Sequence, residues 1–153
     1  MSPIINIQPF SPINFILVNM QISQYIKEYT CGKRIFFIDV ISEIIEFLVE
    51  VIKFNKTGIK EEFEDVLHFL QLWLYYRFGL DSEIWRITRN SVKKFMDRKL
   101  VWNKIYTFVG LPENVSGYVG NYNKIKKVVN HLQKFDISRE KAEAAFNKIV
   151  LGR

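Results

Sequence analysis

Two pairs of acidic residues, each with a three-residue spacing, could do chemistry in this chain. Glu43 and Glu46 form the first pair and Glu62 and Asp65 the second, and each pair lies in an apolar stretch. Residues three apart return to the same face of a helix, so each pair would present two carboxylates on one side. Carboxylates crowded into a dry seam need a counter-charge, and a divalent cation supplies it. The spacing therefore predicts a Mg²⁺ site between helices, which Mn²⁺ could also occupy.

Two long helices must position these carboxylates. Apolar periodicity predicts helices over residues 35–54 and 60–78, joined by a turn at 55–58, and so short a turn makes the helices an antiparallel pair. The first helix has two apolar stripes, which predicts that it is buried over most of its circumference. One stripe is Ile38, Ile41, Ile45, Leu48 and Ile52, and the other is Val40, Ile44, Phe47 and Val51.

The charge distribution suits a ligand that carries both signs. Net charge is +6, yet residues 39–65 hold eight acids against three lysines, while residues 86–104 hold seven bases against one acid. An acidic centre with basic flanks fits a metal bound to a polyphosphate. A solvated basic face is the ordinary alternative.

The order of these acidic residues resembles a known enzyme pattern. Glu43-Ile-Ile-Glu46 is followed, after fifteen residues, by Glu62-Phe-Glu-Asp65-Val-Leu. This arrangement is similar to the ExxE…ExxD motif of the all-α NTP pyrophosphohydrolases, a superfamily that includes MazG-like enzymes and dimeric dUTPases. The resemblance covers about residues 35–98, which is less than half of the chain.

The resemblance implies a hydrolase of phosphoric anhydrides. Such enzymes cleave a nucleoside or deoxynucleoside triphosphate between the α and β phosphates, giving a monophosphate and pyrophosphate. By position, Glu43, Glu46, Glu62 and Asp65 would bind the metal, and Glu46 would also activate the attacking water. Such enzymes place basic or amide side chains on the next helix toward the phosphates, and the resemblance implies candidates there, of which Lys94 and Arg98 are helical neighbours that could hold two phosphates. The candidate phosphate ligands are Asn90, Lys93, Lys94 and Arg98. The resemblance further implies a homo-oligomer, either a dimer or a tetramer.

The whole pattern predicts an all-α fold, a bundle of four to six helices with an irregular N-terminal arm. We expect one domain over residues 1–153, with an arm and short helix at 1–34, a catalytic-like core at 35–109 and a helical extension at 110–153. Further helices are predicted at 22–29, from a cap at Asp81 or Ser82 to about 99, at 121–135, and after a cap at Ser138. A short strand is predicted at 15–18.

Composition narrows the class of protein. The single cysteine fits a reducing compartment, and no apolar run approaches the length of about 20 residues that a membrane span needs. These features predict a cytoplasmic protein without a membrane partner. The alternative function is a non-catalytic helical module that binds nucleic acid or protein through its basic third helix and C-terminal tail.

Overall fold

The computed structural model describes residues 19–30, 33–117 and 120–153, and within them the fold is all-α, as the sequence predicts. The helices are α1 (Ile22–Tyr29), α2 (Phe37–Ile52), α3 (Lys56–Phe78), α4 (Arg89–Val109), α5 (Ile125–Gln133) and α6 (Arg139–Ala145). A single turn of 3₁₀-helix, Arg86–Thr88, precedes α4, and a turn of π-helix, Phe146–Val150, follows α6. The strand predicted at 15–18 lies outside the described residues.

A first core surrounds α3. Helix α2 packs along α3 as its antiparallel neighbour, and α1 and the N-terminal half of α4 contact other sides of the same helix. The largest buried side chains of this core include Tyr25, Ile35, Leu72, Val92 and Met96. The first core therefore holds both acidic pairs and the basic part of α4 in one region.

A second core lies at the other end of α4. The C-terminal half of α4 packs against α6 and the π-turn, and α6 packs against α5. Its buried residues are Trp102, Ile105, Tyr106, Val109, Val128, Val129, Leu132, Ala142, Ala145 and Phe146. The predicted cap of the last helix is confirmed, because the backbone amide of Lys141 donates to Ser138 Oγ at 3.2 Å.

The third long helix begins later than predicted, because a side chain of α3 holds the preceding segment in an irregular path. Gln71 is buried; its Nε2 donates to Ser82 Oγ and to the Glu83 carbonyl, and its Oε1 accepts from the Trp85 amide. Asp81, predicted as a cap of that helix, instead accepts hydrogen bonds from the backbone amide and hydroxyl of Ser23 in α1. Helix α4 then runs without a break to Val109.

Helix α2 is less buried than its two apolar stripes predict. Within α2, Val40 alone is buried; Ile44 packs on the first core and Phe47 contacts Phe63 of α3. The stripe that begins with Ile38 faces solvent on the other side of the helix. The expectation of burial over most of the circumference was therefore wrong for the described chain. No helix of the described residues combines the length and apolar content that crossing a bilayer requires.

Candidate metal centre and adjoining basic cleft

The link between α2 and α3 brings the acidic pairs together. Asn55 caps α3 by accepting from the Gly58 amide at 3.2 Å, and its Nδ2 donates to Glu50 Oε2 at 2.6 Å. These bonds tie the last turn of α2 to the first turn of α3. Helix α3 begins at Lys56 rather than at the predicted residue 60, so the link is shorter than expected and the two helices lie side by side.

Three carboxylates converge between α2 and α3. One oxygen from each of Glu43, Glu62 and Asp65 lies within 4.8 Å of the other two. Oxygens bound to one Mg²⁺ lie roughly 3–4 Å apart, so closing the set around an ion needs side-chain shifts of less than about 1 Å. Glu46, the fourth predicted ligand, is exposed and lies at the rim of this group. The structure therefore places three of the four predicted ligands in one set.

Two carboxylate oxygens of this cluster are buried without a hydrogen-bond partner among the described residues. They are Glu62 Oε2 and Asp65 Oδ1. Asp65 is 5% exposed, so its oxygen has lost water as a partner too. A buried carboxylate oxygen in that state costs free energy unless a cation or donor reaches it. The cluster therefore offers hard oxygen donors, two of which lack a hydrogen-bond partner among the described residues, and a divalent cation would bind to them.

Burial and mutual repulsion raise the pKa of two glutamates in the cluster. Burial, followed by the charges of Glu46, Asp65 and Glu62, raises the pKa of Glu43 to about 7. Burial and the charges of Asp65 and Glu46 also raise the pKa of Glu62. The influence of Glu46 on both glutamates shows that it belongs to the same electrostatic group.

Lys94 of α4 joins the acidic cluster to the basic face. Its Nζ makes a short charge-assisted contact with Asp65 Oδ2, while Asp65 Oδ1 has no hydrogen-bond partner in the described part of the chain. The ammonium charge offsets part of the rise in pKa at both Glu43 and Glu62. Three ionised carboxylates and one ammonium leave a charge of −2, which a divalent cation would neutralise.

An aromatic group supports the basic side chains from beneath. Lys94 Nζ lies 5.1 Å from the centre of the Phe95 ring, and Arg98 Cζ lies 5.3 Å from it. His68 stacks on Phe95 with ring centres 5.0 Å apart, and Phe69 meets the same ring edge-on at 5.8 Å. Burial, aided by the charge of Lys94, lowers the pKa of His68 to about 3, so this ring is neutral and adds no repulsion beside the two cations.

A polar cleft of about 430 Å³ opens beside Lys94. Its α4 wall contains all four residues predicted to bind phosphate, together with Asp97. Its other wall is the segment before α5. The lining residues are Asn90, Lys93, Lys94, Asp97, Arg98, Asn121, Tyr122 and Asn123. Lys93 forms an ion pair with Asp97 at 3.3 Å, and Lys94 forms one with Asp65, so both ammonium groups have a carboxylate partner. Lys94 and Arg98 are the stronger candidates for phosphate contact because both lie over the Phe95 ring, one helical turn apart.

The wall formed by residues 121–123 was missed in the sequence, which predicted a helix from 121 to 135. Helix α5 begins only at Ile125. Asn121 Oδ1 accepts from the Asn123 amide at 3.1 Å, and Trp102 Nε1 of α4 donates to the Gly120 carbonyl at 2.9 Å. The signal was available, because Asn residues that follow a Gly favour a turn over a helix.

Comparison of the chain with family models, with curated proteins and with solved structures gave no match. The likeness to all-α NTP pyrophosphohydrolases therefore rests on the acidic motif alone.

Proposed function

We propose that this chain is a Mg²⁺-dependent pyrophosphohydrolase that converts a nucleoside or deoxynucleoside triphosphate into a monophosphate and pyrophosphate. One observation carries the proposal: three converging carboxylates, two with buried unpartnered oxygens, lie beside a lysine that lines a basic cleft. The cluster would hold a cation and the cleft an anion, in contact through Lys94. A metal–polyphosphate ligand has that distribution of charge.

Glu43, Glu62 and Asp65 would hold the metal, which is Mg²⁺ or Mn²⁺. Their oxygens are hard donors, and Mg²⁺ would keep water molecules at the coordination positions that three carboxylates do not fill. When bound, the ion would lower the pKa of a coordinated water and neutralise phosphate charge. Asp65 would contact both the ion and Lys94, because Lys94 contacts its Oδ2 while its Oδ1 has no hydrogen-bond partner among the described residues.

The phosphate chain would lie along the α4 wall of the cleft. Lys94 and Arg98 are one helical turn apart and share the Phe95 ring as a support, so their charges face the same space. The amide of Asn90 is within the same lining and offers a neutral donor. The second wall, with Tyr122 between two asparagines, offers an aromatic ring and amides to the nucleoside.

Glu46 is our candidate for the general base. It is exposed at the rim, where water enters the cluster, and it is close enough to raise the pKa of Glu43 and Glu62. The water oxygen would form a bond to phosphorus while the bond between the α and β phosphates breaks. Pyrophosphate would leave, and the Glu46 carboxylate would take the proton of the water.

The proposal has two further parts. The family resemblance implies that the enzyme would assemble as a homo-oligomer, a dimer or a tetramer, and the composition favours action in the cytoplasm. The single cysteine of the sequence is compatible with that reducing compartment.

A panel of canonical and modified nucleoside triphosphates, assayed for pyrophosphate release with and without Mg²⁺, tests the proposal. We expect metal-dependent release from at least one of them. Asp65→Asn should lower turnover by about a thousandfold and weaken Mg²⁺ binding in calorimetry. Glu46→Gln should lower kcat by at least about a hundredfold but retain Mg²⁺ binding. Loss of a general base slows proton transfer, whereas loss of a ligand weakens metal binding.

Glu140→Gln is the matched control, because Glu140 is an exposed carboxylate in the first turn of α6, remote in the chain from both acidic pairs. It should leave both measurements unchanged. No release from any triphosphate, with Mg²⁺ bound and circular dichroism normal, would refute the hydrolase. Salt-sensitive binding of a nucleic-acid strand without Mg²⁺ would favour the interaction module instead.

A further inference from the structure

A second polar space, which we call the Glu64 hollow, adjoins the cleft. It has a volume of about 180 Å³ and is lined by Glu61 and Glu64 of α3 and by Asn90, Ser91 and Lys94 of α4. Asn90 and Lys94 also line the cleft, so the two spaces share part of their walls. A ligand held in the cleft could therefore extend into the hollow.

Glu64 is a buried carboxylate that the described chain leaves unsatisfied. The residue is 8% exposed, and its oxygens have no hydrogen-bond or ion-pair partner among the described residues, although they line the hollow. The cation cluster does not include it, since that cluster consists of Glu43, Glu62 and Asp65. A carboxylate so far removed from water costs free energy unless hydrogen-bond donors reach it. Glu64 therefore needs donors that a ligand in the hollow would supply.

The other lining groups favour a neutral polar ligand over a second cation. The Lys94 ammonium would repel a cation, while the Asn90 amide and the Ser91 hydroxyl offer hydrogen-bond donors. Ser91 is 3% exposed, so its hydroxyl is as sheltered as the Glu64 carboxylate. A lining that mixes acceptors and donors suits a planar group that carries both, and a nucleobase is such a group.

We propose that the Glu64 hollow binds the base of the nucleotide and selects guanine. A carboxylate only accepts hydrogen bonds, and its two oxygens can accept from two adjacent donors. On its Watson–Crick edge guanine has a ring N–H beside an exocyclic amine. Adenine and cytosine place a ring acceptor beside their amine, and uracil places its N–H between two carbonyls, so each would set an acceptor against Glu64.

The remaining edge of guanine matches the donors of the hollow. The guanine carbonyl lies next to the ring N–H, and the Ser91 hydroxyl or the Asn90 amide would donate to it. The second wall of the cleft would then contact the sugar. This inference rests on the proposed function, because the hollow receives a base only if the cleft receives the phosphates.

Calorimetry of the full chain with Mg²⁺ and the α,β-methylene analogues of GTP, ATP, CTP and UTP tests the selection. The methylene bridge blocks cleavage at the proposed bond, so binding is measured without turnover. The guanosine analogue should bind at least about tenfold more tightly than each of the others, because a bidentate pair discriminates between bases by that order. Equal affinities, tighter binding of another base, or binding of none would overturn the proposal.

Glu64→Gln identifies the residue that selects the base. The amide replaces one acceptor with a donor, so affinity for the guanosine analogue should fall by at least about tenfold, and affinity for the adenosine analogue should stay within about threefold. Glu140→Gln, at an exposed carboxylate of α6, should bind all four analogues as the wild type does. A preference for guanosine that survives Glu64→Gln would overturn the proposal.

The wild-type series decides the question even if Glu64→Gln disturbs folding, and it separates this inference from the hydrolase. Guanosine-selective binding without pyrophosphate release from GTP would uphold the base site and refute the hydrolase. Release of pyrophosphate from several triphosphates, together with equal binding of the four analogues, would uphold the hydrolase and overturn the base site.

Discussion

The two cores of this molecule share helix α4 but differ in chemical character. The first core buries ionisable and amide side chains, among them Asp65, His68 and Gln71. The second core buries apolar and aromatic side chains, and the hydroxyl of its Tyr106 is satisfied by His131 Nε2 at 2.9 Å. Burying a carboxylate costs stability, and an apolar core of similar volume avoids that cost. The first core is therefore expected to be less stable than an apolar core of its size, in a region where the buried groups can bind a ligand.

The largest effect on stability is expected in the second core. Leu132→Ala removes a fully buried side chain and should lower the free energy of unfolding by about 3 kcal/mol, because a cavity remains. Chemical denaturation measures this loss. Mg²⁺ affinity, measured by calorimetry, should stay within twofold of wild type, since the proposed metal ligands lie in the other core. A large drop in Mg²⁺ affinity would mean that the two cores are not independent.

A smaller effect of the same sign is expected from Lys94→Met in the first core. The substitution leaves the buried Asp65 carboxylate without its ammonium partner, and the unfolding free energy without metal should fall by about 2 kcal/mol. Saturating Mg²⁺ should restore much of that loss, because the ion supplies the missing positive charge. Denaturation with and without Mg²⁺ measures both values, and equal destabilisation in both conditions would contradict the charge argument.

The smallest effect should have the opposite sign. Glu43 has a pKa of about 7 when folded, against an ordinary value of 4.5, so the folded state holds this proton more tightly. Its contribution to stability is present at low pH and is lost as the pH rises from 4.5 through 7. At pH 8 without metal, Glu43→Gln should therefore stabilise the fold by about 1 kcal/mol, a figure reduced for solvent screening.

The same substitution should flatten the dependence of stability on pH between 5 and 8 and weaken Mg²⁺ binding. Melting curves at several pH values measure the first effect. Glu140→Gln, at an exposed position outside the cluster, should keep the wild-type profile. A Glu43→Gln protein that loses stability at pH 8 would show that the carboxylates do not repel one another.

Local pattern was sufficient to predict the helical hairpin and the convergence of three carboxylates. Three-residue spacing fixes which side chains share a helix face, and a short link fixes which helices are neighbours. The same reasoning could not locate the start of α4, because that boundary depends on hydrogen bonds from Gln71 to residues eleven to fourteen positions later. Nor could it tell that one stripe of α2 faces solvent, since apolar periodicity reports what a surface can pack against and not whether the partner belongs to the same chain.

The cleft depended still more on tertiary contacts. Its α4 residues were predicted individually from charge, but the facing wall is set by a hydrogen bond from Trp102, and no local pattern encodes that bond. Sequence reasoning thus found the groups that would carry charge and missed the groups that would shape the space around them.

The bond between Trp102 Nε1 and the Gly120 carbonyl has a mechanical consequence. Trp102 is buried in the second core. Lys94 lies two turns earlier on the same helix, α4, and forms an ion pair with Asp65 of the first core. The width of the gap between Arg98 and Tyr122 therefore depends on packing in the second core, which contains none of the residues proposed to bind the metal or to act in catalysis. A ligand that widened this gap would strain the packing of the second core. Conversely, a change that loosened the second core would alter the affinity for the ligand.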